Sequence, residues 1–153
     1  MFHVKHQKEV KKKMKVKYVF CSFMGLVVTT IISALGGYDV MIETLLFFMV
    51  VDYLTGLYIA GVLHKSPKTK SGGLSSTKGY HGLVKKVMVL VLVAVMYRVD
   101  LLFNIDYLRN GSIIAFCFQE GISIIENAGL MGVAIPDVVK RGIDLLNKEV
   151  DDK

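Results

Sequence analysis

The sequence predicts an all-α integral membrane protein with about four transmembrane helices and a cytoplasmic N-terminus. Hydrophobic residues make up 53% of the 153-residue chain, which is more than a typical soluble domain contains. They are concentrated in long segments, and the clearest of these, residues 40–63, could cross a hydrocarbon core about 30 Å thick as a helix. The Lys and Arg residues flank the apolar segments, as expected for membrane helices with cytoplasmic ends.

The same pattern divides the chain into three parts. Residues 1–17 form a basic cytoplasmic segment, residues 18–136 a membrane domain, and residues 137–153 a cytoplasmic tail. The predicted spans are about 18–35, 40–63, 83–103 and 111–135. We expect a flexible basic loop at 64–86, and Ile143, Leu145, Leu146 and Val150 predict a short amphipathic helix in the tail.

The basic N-terminal segment has seven lysines against one acid, Glu9. Its composition is typical of a solvated anchor that holds the N-terminus in the cytoplasm. Met14 lies inside this segment and is either an internal methionine or a second start. A start there would remove four net positive charges and weaken the anchor.

The first span carries a stripe of small and hydroxyl residues. Ser22, Gly25, Thr29 and Ser33 follow one another at spacings of three and four, so they share one helical face. Such a stripe favours close packing against another helix. The hydroxyl groups would equally tolerate a water-filled lumen, so both interpretations stand.

The second span contains a carboxylate near its middle. Asp52, Thr55 and Gly56 fall on one face, with Ala60 one turn further. A charge at that depth costs about 2.5–3.5 kcal/mol on insertion scales, so Asp52 requires a partner, a proton or water. Gly56 and Ala60 form a small-residue pair that lets a second helix approach closely.

The last two spans are less uniform. Arg98 and Asp100 interrupt the third, and Glu120, Glu126 and Asn127 lie in the fourth. If the fourth segment is re-entrant or interfacial, the chain has three spans and the tail lies outside. With four spans, 17 of the 19 Lys and Arg residues lie on one side of the membrane, which places both termini in the cytoplasm.

Nothing in the sequence forms a convincing catalytic set. We expect no enzyme activity, no metal, no cofactor and no nucleic-acid partner, because the lysines flank membrane segments and no Cys/His cluster has metal-ligand spacing. Cys21 and Cys117 are interpreted as small apolar residues. Four short spans cannot enclose a wide pore, so a large pore would require a homo-oligomer.

Three motifs carry a family resemblance. They are Asp52-Tyr53-Leu54-Thr55-Gly56, then Ser75-Ser76-Thr77-Lys78-Gly79 leading through Gly82 to Lys85-Lys86, and finally the segment 121–136 with Glu126-Asn127 and a terminal Pro136. In this order, over about residues 42–147, the sequence resembles the toxin-secretion and phage-lysis holin family of small bacterial and bacteriophage membrane proteins.

The resemblance implies a holin in the bacterial cytoplasmic membrane. Such a protein accumulates in the lipid bilayer, forms homo-oligomers, and permeabilises the membrane. A peptidoglycan hydrolase (endolysin) or a protein toxin is then released. Two alternatives stay open. One is a small proton- or ion-coupled transporter or channel that uses Asp52, Glu120 or Glu126 as a relay, and the other is an antiholin-like regulatory subunit.

Overall fold

The computed structural model describes residues 2–67, 69 and 71–151. Side chains are described at 14, 15, 17–67, 69 and 71–145. Throughout the described residues the regular structure is helical, without strands, so the all-α prediction is confirmed. The chain divides into two compact units, Met1–Tyr38 and Asp39–Lys153.

The first unit consists of one long helix, α1, at Phe2–Ala34. It runs without a break from the basic segment into the first predicted span. Two glycines with positive φ, Gly36 at 86° and Gly37 at 103°, end it. Residues with a side chain rarely adopt these backbone conformations, so the glycine pair stops the helix.

The described residues of the second unit form four α-helices. They are α2 at Val40–Tyr58, α3 at Ser76–Phe103, α4 at Leu108–Leu130 and α5 at Asp137–Asp151, and a five-residue π-helical segment, Ile59–Leu63, continues α2. The Asp39 carboxylate accepts the Ile42 N–H at 2.9 Å and caps the start of α2. The helical tail agrees with the predicted amphipathic helix, although residues 146 and 150 lie outside the described side chains.

Helices α2 and α4 run parallel, and α3 runs antiparallel to both. The start of α2 contacts the start of α4 through Asp39 and Arg109, and Asp52 contacts Asn127 further along the same two helices. The buried apolar residues between the three helices are Ile42, Leu45, Met49, Val93 and Ile113. These side chains stabilise the packing of the three helices through van der Waals contacts.

Among the described residues, three helical segments are long and apolar enough to cross a membrane, namely Lys17–Ala34, Val40–Leu63 and Leu108–Leu130. They correspond to the first, second and fourth predicted spans. Many large apolar side chains are exposed, including Phe20, Leu26 and Phe118 at 60–67%, as expected for lipid-facing surfaces. The predicted third span, α3, is not among them, because Lys86, Arg98 and Asp100 interrupt its apolar sequence.

Two helices begin earlier than the predicted segments. The expected loop at 64–86 ends at Ser75, because the Ser75 hydroxyl accepts the Lys78 N–H at 3.5 Å and starts α3 at Ser76. The fourth segment begins at Leu108 instead of 111, because a carboxylate on α3 caps it, as described below. It ends at Leu130, before Gly132 with φ 92°.

Candidate functional site

One charged cluster connects α2, α3 and α4. Lys86 on α3 donates from Nζ to Asp52 Oδ2 of α2 at 2.9 Å and to Glu120 Oε2 of α4 at 2.5 Å. The three side chains are only 12–14% exposed. Each helix therefore contributes one charged group to a largely buried network.

Asn127 extends this network along α4. Its Nδ2 donates to Asp52 Oδ1 at 3.0 Å and to Thr55 Oγ1 at 2.9 Å. The Thr55 hydroxyl donates in turn to the Val51 carbonyl at 2.8 Å, so its lone pairs face the amide. Both oxygens of the Asp52 carboxylate are occupied, one by an ammonium group and one by an amide. We call Asp52, Thr55, Lys86, Glu120 and Asn127 the inner cluster.

Helical spacing explains how the inner cluster forms. Asp52 and Thr55 are three residues apart on α2, and Glu120 and Asn127 are seven apart on α4, so each pair shares a face. Gly56 allows the two faces to meet, since a Cβ there would lie 3.9 Å from Asn127 Nδ2. A larger side chain at Gly56 would press against the amide that orients Asp52.

The inner cluster contains two carboxylates and one ammonium group. Both acids attract Lys86 strongly because the surroundings exclude most water. The formal charge of an ionised cluster is nevertheless −1, and burial of unbalanced charge is unfavourable. The cluster is stable only while the three helices keep their charges together, so a change in helix packing or protonation alters it directly.

A cavity of about 650 Å³ adjoins the inner cluster at the end of the unit that contains loop 64–75. We call it the inner cavity. Lys78, Gly82 and Lys85 of α3 line it, as do Glu126 of α4 and the cluster acids. It gives the charged groups a polar space next to them inside an otherwise apolar helix bundle.

A second charged network lies at the opposite end of the unit. Arg109, 7% exposed, donates from Nη1 to Asp39 Oδ2 at 2.8 Å. The Asp100 carboxylate accepts the backbone N–H groups of Leu108 at 3.1 Å and Arg109 at 2.8 Å, so α3 caps α4. The hydrogen bond from Arg109 lowers the pKa of Asp39 below its ordinary value of 3.8, against a smaller opposing effect of burial. We call Asp39, Asp100 and Arg109 the outer network.

The predicted site residues fall into three places. Asp52, Thr55, Gly56 and Asn127 come together, whereas Glu126 is exposed at the inner cavity. Gly25, Thr29 and Ser33 are exposed on α1 in the first unit, where the Thr29 hydroxyl donates to the Gly25 carbonyl at 2.8 Å. Their proposed roles in assembly remain predictions.

Sequence reasoning missed the central residue of the inner cluster. Lys86 was interpreted as the end of a basic loop, and Glu120 was considered only as one member of an alternative relay. The available signal was Lys86 directly before the apolar run 87–97, where a lysine on a span would need an acidic partner. Within the described residues, no group of three or more His, Cys, Asp or Glu side chains could hold a metal ion.

These features define a small helical membrane protein with charged groups gathered between its helices. The chain belongs to the bacteriophage holin family, whose model matches residues 16–148. The resemblance inferred from the motifs is thereby confirmed.

Several relatives align over most of the chain. An uncharacterized protein of Clostridium perfringens is 36% identical over 129 residues, covering 83% of this chain and 87% of the relative. One from Listeria innocua is 34% identical over 119 residues, covering 77% and 79%. A probable holin of Bacillus phage phi105 is 26% identical over 113 residues, covering 73% and 78%. No solved structure matches the chain significantly.

Proposed function

We propose that the protein acts as a holin in the bacterial cytoplasmic membrane. It accumulates there, forms homo-oligomers and permeabilises the membrane, which releases a peptidoglycan hydrolase or a protein toxin. Membership of the holin family supports this function. The inner cluster carries the proposal, because it provides charged groups that are paired inside one chain and could face water in an open assembly.

The proposed topology has four spans, with α3 as the third. The charges that interrupt α3 favour this arrangement, since Lys86 is paired with two acids and Asp100 with two backbone N–H groups. Polar groups that have hydrogen-bond or salt-bridge partners inside a helix bundle are not exposed unpaired to lipid when the helix inserts. Every Lys and Arg except Arg98 and Arg109 then lies on the cytoplasmic side.

The closed and open states would differ in what the inner cluster contacts. In the closed state Lys86 bridges α2 and α4 at 2.9 and 2.5 Å and keeps the acids away from lipid. Separation of α3 would leave Asp52 and Glu120 without a cation in a region that lipid cannot solvate. The charged faces of these helices would be stable only in contact with water. Several copies would therefore assemble with their charged faces toward a common water-filled pore.

Assembly would use the stripe Gly25, Thr29 and Ser33. A Cβ at Gly25 would meet nothing within 4 Å. The leucine in Gly25→Leu can therefore be accommodated within one chain, and it should disturb only the contact between α1 and a helix of another copy. We expect a shortened crosslinking ladder in native membranes for Gly25→Leu. Val27→Phe, on the opposite face of α1, should leave the ladder intact. Equal ladders for both variants would remove the stripe from the interface.

The function is tested by inducible expression in bacteria, with and without a co-expressed peptidoglycan hydrolase. A holin should admit a membrane-impermeant dye at a defined time and cause lysis only when the hydrolase is present. Dye exclusion at full membrane expression, together with no release of the hydrolase, would contradict the proposal. Delayed lysis by a companion holin would instead identify an antiholin-like subunit.

An ion-coupled transporter is the second candidate, favoured by two carboxylates that share one lysine beside a polar cavity. Such a cluster can exchange a proton or cation during transport. A transporter would carry protons or ions across vesicles without admitting dye. Flux measurements on reconstituted protein with a pH-sensitive dye and a larger dye therefore separate the two functions.

A further inference from the structure

We propose that the inner cavity binds the phosphate group of an anionic phospholipid, held between Lys78 and Lys85. The cavity is large enough for a headgroup, at about 650 Å³. The proposal concerns binding and does not depend on whether the protein forms a pore.

The charges that line the cavity differ in how they are paired. Asp52 and Glu120 are both bound to Lys86. Lys78 and Lys85 are exposed, and neither ammonium group forms a salt bridge in the part of the chain that the structure describes. The two lysines therefore offer positive charge to a ligand, while those two acids are already engaged.

The surface between the two lysines has no side chains to fill it. Lys78, Gly82 and Lys85 lie on one face of α3, at spacings of four and three. A Cβ at Gly82 would meet nothing within 4 Å, and one at Gly79 would first meet the Tyr53 hydroxyl, at 3.8 Å. The two lysines are separated by about 10 Å along the helix, so a phosphate group can lie over Gly82 within reach of both side chains.

The rest of the cavity favours a lipid over free phosphate. Leu57 and Leu74 line the cavity and are 40% and 62% exposed. An inorganic ion would leave these apolar side chains uncovered, whereas the glycerol and acyl carbons of a lipid would cover them. Lysines close to the cytoplasmic surface attract the headgroups of anionic lipids.

Glu126 provides an internal check on the electrostatics. It lines the same cavity and is exposed, so its charge opposes that of the two lysines. Glu126→Gln should strengthen binding of an anionic lipid about two- to fivefold, because the phosphate no longer meets a carboxylate. A weaker complex in this variant would contradict an anion site.

The test uses the purified full-length chain in detergent and counts retained lipids by native mass spectrometry. Phosphatidylglycerol is compared with phosphatidylcholine of identical acyl chains, and inorganic phosphate is the competing free ion. We expect preferential retention of phosphatidylglycerol, and little competition from millimolar phosphate. Lys78→Gln/Lys85→Gln should lose about fivefold in affinity per lysine, as expected for charges near an anionic surface.

Two further variants locate the site. Lys65→Gln removes one charge from the loop before α3, outside the cavity lining, and should retain the preference. Gly82→Phe fills the space with both lysines intact and should abolish it. Unchanged retention in Gly82→Phe, an equal loss in Lys65→Gln, or full displacement by inorganic phosphate would each overturn the lipid site.

Discussion

The inner cluster and the outer network join the same three helices in different ways. In the outer network Asp100 binds backbone N–H groups at the start of α4, and Asp39 both caps α2 and pairs with Arg109. In the inner cluster the contacts from Lys86 join side chains in the middle of helices. One network fixes the ends of helices, and the other depends on the distance between them.

The difference separates a structural role from a functional one. In the outer network the Asp39 side chain is 44% exposed, whereas Asp100 and Arg109 are 4% and 7% exposed and make their contacts at the ends of helices. The inner cluster lies at 12–14% exposure beside a cavity. Loss of an inner contact should therefore affect gating, and loss of an outer contact should affect stability alone.

Lys86→Gln should have the largest effect. It leaves Asp52 and Glu120 facing each other without a cation, and removal of one partner of a buried ion pair destabilises a protein by about 3–5 kcal/mol. We expect low membrane levels and a lower melting temperature in detergent. Lys65→Gln, which changes an exposed lysine in the loop before α3, should match the unmodified protein.

A compensating variant distinguishes charge imbalance from lost packing. Asp52→Asn/Lys86→Gln/Glu120→Gln removes all three charges and keeps three hydrogen-bonding side chains of similar size. It should recover most of the membrane level, but without the normal lysis time. No recovery would mean that Lys86 acts through its shape and not through its charge.

Asp100→Asn should have the next largest effect. Asp100 is 4% exposed and caps α4 through two N–H groups. Asn keeps only one acceptor oxygen and turns its NH2 group toward the second N–H, and a buried donor left unsatisfied costs about 1–3 kcal/mol. The melting temperature should fall by several degrees while lysis keeps its normal time at equal protein level. Asp106→Asn, an exposed neighbour, is the control. A changed lysis time would give the outer network a part in gating.

Asp52→Asn should alter lysis timing more than stability. The amide keeps the size of the side chain and one of its two acceptor oxygens, and Lys86 with Glu120 becomes a balanced pair, so the loss should be about 0.5–1.5 kcal/mol. We expect normal membrane levels with a shifted onset of dye entry. Glu43→Gln, an exposed carboxylate on the same helix, should leave the onset unchanged. If Asp52→Asn also leaves it unchanged, Asp52 is a packing residue.

Asp39→Asn should have the smallest effect, because a partly exposed ion pair contributes about 0–1 kcal/mol. Arg109 lowers the pKa of Asp39 in the folded protein, so its stabilisation is fully present above the ordinary pKa of 3.8. The stabilisation is lost as the pH falls through the lowered folded value. The difference in melting temperature between Asp39→Asn and the unmodified protein should therefore disappear below that range. A constant difference at every pH would exclude the ion pair as its cause.

The sequence allows the helical class and three of the five residues of the inner cluster to be predicted. Asp52, Thr55 and Asn127 are recognisable because they are polar residues within apolar segments. A polar side chain inside a membrane span requires a partner or water. Lys86 was missed because it follows other lysines, and a lysine-rich segment is typical of a loop. Its two partners lie 34 residues before and after it in the sequence. Local sequence patterns contain no information on contacts between such distant residues.

The start of α4 was missed for a related reason. Residues near the beginning of a helix normally provide its cap, but the Asp100 carboxylate reaches Leu108 and Arg109 from the end of another helix. Only the turn between α3 and α4, with Asn104 at φ 53°, brings Asp100 to that position. A local search for caps cannot identify it.

The length of α3 sets the depth of its lysine. At about 1.5 Å per residue, Lys86 lies about 25 Å along the helix axis from Phe103. With Phe103 at the outer surface of a hydrocarbon layer about 30 Å thick, Lys86 would lie close to the inner surface. A lysine side chain is long enough to snorkel from there to the cytoplasmic headgroups. Release of Asp52 and Glu120 would then require only rotation about side-chain bonds, and the bilayer itself would compete with the two acids for the ammonium group.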